Sequence, residues 1–241
     1  KLISLSGDYK GMSMSAANIT AIGSLDGAGQ NGGDNNVVYQ IVGQPLGVFY
    51  LPHCKGLVKN ENGSYFYDIE DLDHNGNVDL SDGGDRYIAG QATPKVILGS
   101  NISFRYKNYY ISIQMNGAFG HKIFNGTGLA YTSMACFPDY NVFKDAPKKN
   151  IIDQRVSDYW LEKGDYLNFE HLTIGYNVPL RSKLIRSLRV SCNISNIGTI
   201  TGYKGLTPMI NSYVVNSTMG IDDKRNYPLY RTYSLGLSVQ F

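Results

Sequence analysis

The last stretch of the chain constrains its fold more than any other. In Tyr233-Ser234-Leu235-Gly236-Leu237-Ser238-Val239-Gln240-Phe241 every odd position is apolar and every even position is small or polar. Successive side chains of a strand point to opposite faces, so strict period two sends one face to an oily environment and the other to a polar one. The run also stops on an aromatic residue, Phe241. An edge strand of a soluble sandwich would alternate in the same way, so this pattern alone leaves the environment of the oily face open.

The pattern recurs upstream. Val96, Leu98, Ile102, Phe104 and Tyr106 share one face of a run whose other face carries Gly99, Asn101, Ser103 and Arg105. Tyr109, Ile111, Ile113, Met115 and Phe119 then alternate with Tyr110, Ser112, Gln114 and Asn116, and only Lys107-Asn108 lies between the two runs, as in a tight hairpin. Leu172, Ile174, Tyr176 and Val178 alternate with His171, Thr173 and Asn177, and Leu188, Val190, Cys192 and Ile194 with Arg189, Ser191 and Asn193. These readings place strands at about 96–106, 109–119, 166–178, 188–197 and 230–241. The composition agrees: Tyr (19) and Gly (27) are abundant, and only 17% of residues are charged.

Two features separate a membrane sheet from a sandwich. Aromatic residues stand at strand ends (Tyr106, Tyr109, Phe119, Tyr176, Tyr233, Phe241), as in interfacial girdles. Connection lengths also alternate: Lys107-Asn108 is short, 120–164 is long, 179–187 is short and 198–229 is long. Outer-membrane barrels have short periplasmic turns and long outer loops, so the expectation is a periplasmic C-terminus with the long loops extracellular. No apolar run approaches the about 18 residues of a membrane-spanning helix, but a spanning strand needs only about 9–11.

Five strands do not close a barrel; single-chain barrels begin at about eight. Residues 1–95 are Gly- and Asn-rich and read as a mostly extracellular loop region, with strands at most at Lys1–Ser6 and Val37–Tyr50. The expectation is therefore the C-terminal portion, 96–241, of a larger barrel whose earlier strands lie outside this sequence, which begins at Lys1 without an initiator Met. Cys54, Cys136 and Cys192 form no C-x-x-C and define no metal or disulfide framework.

One loop carries metal-ligand spacing. In Asp71-Leu72-Asp73-His74-Asn75-Gly76-Asn77-Val78-Asp79-Leu80-Ser81-Asp82, oxygen side chains fall at loop positions one, three, five, nine and twelve, with Asn77 at seven and Gly76 at the sharp turn. Asp71, Asp73, Asn75, Asn77, Asp79 and Asp82 are thus candidate ligands for a structural Ca2+. The twelfth residue is Asp82 rather than Glu, which shortens the bidentate reach and brings the loop closer to the dockerin version of the motif. An Asx-rich turn held by side-chain-to-backbone bonds, without metal, fits the same residues.

Taken in order, several segments resemble the C-terminal region of SusC/RagA-type TonB-dependent transporters of Bacteroidetes. They are Gly43-Gln44-Pro45-Leu46-Gly47, the 71–82 loop running into Asp85-Arg86, and Ser157-Asp158-Tyr159-Trp160. Further on come Leu172-Thr173-Ile174-Gly175-Tyr176, Gly202-Tyr203-Lys204-Gly205, Tyr227-Pro228 and the terminal Phe241. The resemblance covers about Gly43 to Phe241 and is weaker over 1–36; the loop departs from it at Asn75-Gly76-Asn77, where the family's acidic triplet is diluted. It implies an all-β fold, an antiparallel transmembrane β-barrel of about twenty-two strands, of which this chain holds the C-terminal ones. It further implies an N-terminal plug, a SusD-like lipoprotein as lid, energy from TonB through the missing N-terminal part, and uptake of oligosaccharides or peptides across the outer membrane.

The long loops hold Tyr131, Phe137, Tyr140 and Phe143, and Tyr203, Tyr213 and Tyr227, whose rings suit stacking on sugars or packing against other loops and the lid. Arg105, Gln114 and Arg189 fall on the polar, lumen-side face. His121 and His171 lack partners at catalytic spacing, and there is no G-x-S-x-G, H-E-x-x-H or phosphate-binding Gly loop, so no enzyme and no catalytic or cofactor residue is expected. A net charge of +2 gives no sign of nucleic-acid binding. The competing reading is a soluble or surface-attached calcium-stabilised β-module that binds glycans.

Overall fold

The computed structural model describes residues 8–9, 12–13, 19–25, 35–81, 83–181, 184–210, 219–224 and 226–241. In chain order the strands are β1 (Asp8–Tyr9), β2 (Met12–Ser13), β3 (Ile19–Ser24), β4 (Asn36–Ile41), β5 (Val48–Pro52), β6 (Cys54–Lys59), β7 (Tyr65–Ile69), β8 (Arg86–Gln91), β9 (Val96–Tyr106), β10 (Tyr109–Phe119), β11 (Lys122–Asn125), β12 (Leu161–Lys163), β13 (Tyr166–Val178), β14 (Ser187–Thr201), β15 (Ile221–Asp222) and β16 (Thr232–Gln240). Two short helices, α1 (Gly126–Thr132) and α2 (Ala146–Lys149), interrupt them. The chain forms two compact units. One comprises Lys1–Thr93, His121–Lys163 and Tyr203–Asn226, and the other Pro94–Gly120, Gly164–Gly202 and Tyr227–Phe241.

The second unit is a five-stranded antiparallel sheet in the order β16-β14-β13-β10-β9. Its register aligns the alternating residues into rows across all the strands. Phe104, Ile111, Ile174, Cys192 and Leu235 form one apolar row, and Ile102, Ile113, Leu172, Ile194 and Tyr233 the next. The opposite face carries Ser103, Ser112, Thr173, Asn193 and Ser234 at one level and Asn101, Gln114, His171, Ser195 and Thr232 at another. Polar neighbours satisfy each other there: Ser103 and Ser112 hydroxyls lie 3.0 Å apart, and the Thr173 hydroxyl donates to Asn193 Oδ1 at 2.9 Å. The apolar rows have no such cover; Leu235 and Leu237 are 85% and 70% exposed.

One level of the sheet breaks the alternation. Glu170 is the extra residue where the β10–β13 pairing shifts, and Asn196 and Ile197 stand opposite it on β14. Asn196 adopts φ 53° there. The bulge resets the phase, so that Leu167 and Phe169 return to the apolar side opposite Gly117 and Met115, and β14 continues to Thr201, past the expected end at 197. The Glu170 carboxylate accepts from the side-chain amides of Gln114 (3.0 Å) and Asn116 (3.2 Å).

Lys107, at φ 50°, makes the two-residue β9–β10 turn. This turn, the 179–186 connection and Phe241 share one end of the sheet, and the long connections 120–165 and 202–231 leave from the other.

Residues 1–95 differ from the loop-rich expectation. They carry a four-stranded sheet in the order β3-β4-β5-β8 and the β6–β7 hairpin. The expected strand at Val37–Tyr50 is two strands, because Gly43 and Gly47 adopt φ 80° and 72° and fold the chain back between β4 and β5. Lys1–Ser6 lies outside the described residues. The core of this unit gathers Val37, Val38, Phe49, Leu51, Phe124, Leu129, Ile151, Trp160 and Ile221. Against a second buried cluster of Tyr39, Ile41, Val48 and Tyr50 sits a fully buried charge, Arg86, whose guanidinium donates to Leu80 O (2.8 Å) and the Tyr39 hydroxyl (2.8 Å). It also lies 5.8 and 6.0 Å from the ring centres of Tyr39 and Tyr50, so hydrogen bonds and aromatic faces replace its lost hydration.

Candidate functional site

The segment from β11 to β12 builds a concave surface of the first unit. Asn125 caps α1, its Oδ1 accepting from Gly128 N at 2.7 Å. Gly128 lets Trp160 pack directly on the helix, since a Cβ there would meet the indole at 2.6 Å. Beyond α1 the chain turns back on itself: Phe143 N donates to Tyr131 O at 2.8 Å, and the two rings meet edge to face at 6.1 Å. Tyr131, Tyr140, Asn141, Val142 and Phe143 line a pocket of about 320 Å3. That is the small end of ligand sites, which run roughly 300–1,000 Å3. Tyr140 and Phe143 are largely exposed, so the pocket presents aromatic faces together with an amide. Phe137, exposed on the same segment, does not line it.

The other aromatic candidates have other surroundings. Tyr203 is buried and donates to Asp222 Oδ2 at 2.8 Å. Burial, then the Asp222 charge, pushes its phenol well above the ordinary range, so it is a structural contact rather than a stacking platform. Tyr227 is exposed, and Tyr213 lies outside the described residues. On the polar face of the sheet, Arg189 donates to Asn177 Oδ1 at 2.9 Å and stands 5.4 Å from the Tyr110 ring centre. His171 Nδ1 lies 3.1 Å from the Ser195 hydroxyl, and His121 is buried. Arg105 lies beside Tyr110 in the β9–β10 register.

In the acidic loop, carboxylate oxygens of Asp71, Asp73 and Asp85 lie within 4.8 Å of one another. Asp85 has no signal in the sequence spacing, being three residues beyond Asp82, which is outside the described residues. Its buried carboxylate organises the loop, accepting from Leu72 N (2.6 Å), Asp73 N (3.3 Å) and Asp79 N (2.8 Å). Asp71 accepts from Gly76 N at 2.8 Å, Asn75 Oδ1 accepts from Asn77 N at 2.8 Å, and Asp79 accepts from Ser81 N at 2.9 Å. The backbone bond from Gly76 holds the Asp71 carboxyl below its ordinary range, and the Ser81 bonds do the same for Asp79. The loop thus has the Asx-turn bonding of a self-ordered turn, and its hard oxygen donors also suit calcium.

No family model matches the chain. Among curated proteins, TonB-dependent receptor P3 of Formosa agariphila is 27% identical, across 83% of this chain and 22% of that protein. TonB-dependent receptor SusC of Bacteroides thetaiotaomicron is 26% identical, across 87% and 21%. Among solved structures, the RagAB peptide importer in its closed-closed state superposes with a TM-score of 0.62 at 16% identity, covering 85% of this chain and 24% of that chain. In sequence and in fold, the chain is similar to SusC/RagA-type TonB-dependent receptors. The resemblance read from the ordered segments holds, and the five long strands form an open antiparallel sheet within a fold similar to that of the RagAB importer. The chain spans about a fifth to a quarter of the length of these relatives. They are named as receptors and importers, not enzymes, which agrees with the lack of a catalytic constellation in the sequence.

Proposed function

We propose that this chain is the C-terminal barrel portion of an outer-membrane, TonB-dependent importer that takes up oligosaccharides or peptides with a SusD-like surface lipoprotein. The observation that carries this reading is the uncovered apolar face of the five-stranded sheet, continuous from Phe104 on β9 to Leu235 on β16. In water such a face is an aggregation surface; in a bilayer it is the lipid-facing belt. The strands have 9 to 15 residues, enough to span. In this reading the short turns and Phe241 are periplasmic, the long connections extracellular, and the polar face with Gln114, Arg189 and Thr173 lines the lumen. The aromatic pocket of Tyr131, Tyr140 and Phe143 then faces incoming substrate.

The test is whether the full-length protein partitions into outer membrane and runs as a compact band that shifts on boiling. A co-purifying lipoprotein would add the lid. A monodisperse protein in detergent-free buffer would overturn the importer in favour of a glycan-binding β-module.

For the acidic loop we infer a structural Ca2+ held by Asp71 and Asp73, with Asp85 closing the set. Such an ion would stiffen an outer loop. Added calcium protecting 71–85 from proteolysis, reversed by chelator, supports it; cleavage indifferent to calcium removes it.

A further inference from the structure

A second cavity of the first unit, about 250 Å3, is lined by Leu57, Tyr65, Lys148, Lys149, Ile151 and Tyr159. Its chemistry differs from that of the aromatic pocket. Two lysines from the last turn of α2 contribute ammonium groups, and a third, Lys59, stands directly across from Tyr65 in the β6–β7 register and so on the same face of that hairpin. The nearby acid is Asp145, paired with Lys149 at 2.7 Å; Lys148 has no ion pair among the described residues. The cavity is therefore net positive.

Its aromatic wall is fixed in place. The Tyr159 ring packs on Tyr67 at 5.3 Å and on Trp160 at 5.2 Å, and the Trp160 indole donates to the Tyr67 hydroxyl at 2.7 Å. The backbone around the cavity is already engaged. Tyr65 N donates to Asn150 O at 2.9 Å, Tyr65 O accepts from Ile152 N at 3.2 Å, and Ile151 O accepts from Met134 N at 2.9 Å. Both main-chain groups of Tyr65 and the carbonyl of Ile151 are thus already used, and an extended peptide, which binds by adding main-chain hydrogen bonds, cannot pair with them. What the cavity offers is ring faces, an apolar floor and lysine cations. Those suit a pyranose ring, whose C–H face packs on an aromatic side chain, bearing a carboxylate that a lysine neutralises.

The geometry points to a subsite for the acidic sugar of an anionic oligosaccharide, in which Tyr65 and Tyr159 receive the ring and Lys148 and Lys149 the carboxylate. This inference rests on the importer reading and narrows its substrate class from oligosaccharide or peptide to uronic-acid-containing glycan.

The experiment is calorimetric titration of the full-length protein in detergent with tetragalacturonate, its methyl ester and tetraglutamate. The acid sugar is expected to bind roughly tenfold or more tightly than the ester, with the difference shrinking as salt is raised. Lys148→Gln, and more fully the Lys148→Gln/Lys149→Gln pair, should weaken the acid form towards the ester and so erase the preference for acid over ester. The heat-modifiable band of each variant reports that it is folded, and that of the parent protein reports separately on the importer reading. Equal affinity for acid and ester, absence of binding by both, or an acid preference untouched by the lysine variants overturns the inference. Lysine-dependent binding of tetraglutamate in preference to the sugar also overturns it, by making the ligand a peptide.

Discussion

The ring of Tyr110 occupies the space over Gly175 on the neighbouring strand: a Cβ at Gly175 would stand 2.0 Å from Tyr110 Cε1. The two residues are paired across β10 and β13, and the Arg189 guanidinium lies 5.4 Å from the centre of the same ring. An aromatic ring covering a strand glycine shields backbone that has no side chain of its own. Gly175→Ala therefore displaces Tyr110 and breaks its stacking with Arg189. The expected cost is about 1–3 kcal/mol, the range for overpacking. The urea midpoint for loss of the compact band in detergent measures it, and Tyr110→Ala should relieve the clash in the double variant.

The two faces of β16 predict opposite responses to charge. Leu235 belongs to the apolar row and Ser234 to the polar one. Leu235→Arg should impair membrane assembly, at about 2–4 kcal/mol if the site lies near the bilayer midplane, whereas Ser234→Arg should assemble nearly as the parent does. Folding yield into lipid vesicles distinguishes them. Equal yields would mean that the apolar face does not meet lipid.

Asp85 is fully buried and serves three backbone N–H groups of the acidic loop. Asp85→Ala leaves those donors without their acceptor and should destabilise the loop by about 2–3 kcal/mol. Proteolytic cleavage within 71–81 should accelerate while the band shift of the barrel is retained.

The loop should also loosen in acid. Backbone bonds hold Asp71 and Asp79 below the ordinary value of 3.8, so each contributes order that is complete above that value and is lost as pH falls through the lowered folded value. Hydrogen-exchange protection of 75–81, corrected for intrinsic rates, should be flat from neutrality to about pH 5 and fall below about pH 4.

The five sheet strands were legible because period-two alternation is local: each residue's face follows from its neighbours' spacing. The bulge was written there too, in the consecutive polar pair Glu170-His171, but two polar residues in a row have the same appearance at a strand end. The true extent of β14 was missed for the same reason, since Asn196-Ile197 interrupts the pattern and only pairing with β13 carries the strand on to Thr201. In the 1–95 region the strands are short and packed on a core, so they lack clean alternation; Val37, Val38 and Tyr39 are all buried.

The sequence by itself determined the all-β character, the oily and polar faces of the long strands, and the order of short and long connections. These depend on side-chain period and chain length, which are one-dimensional quantities. Only the tertiary structure decided which carboxylate closes the acidic loop, that Tyr203 is spent on Asp222 while Tyr131 and Phe143 wall a pocket, and that Lys148 and Lys149 stand beside Tyr65 and Tyr159. Asp85 reaches Leu72 across 13 residues of chain, and Lys148 shares a cavity with Leu57, far away in sequence. Such meetings are set by where buried strands bring their ends, and no local spacing encodes them.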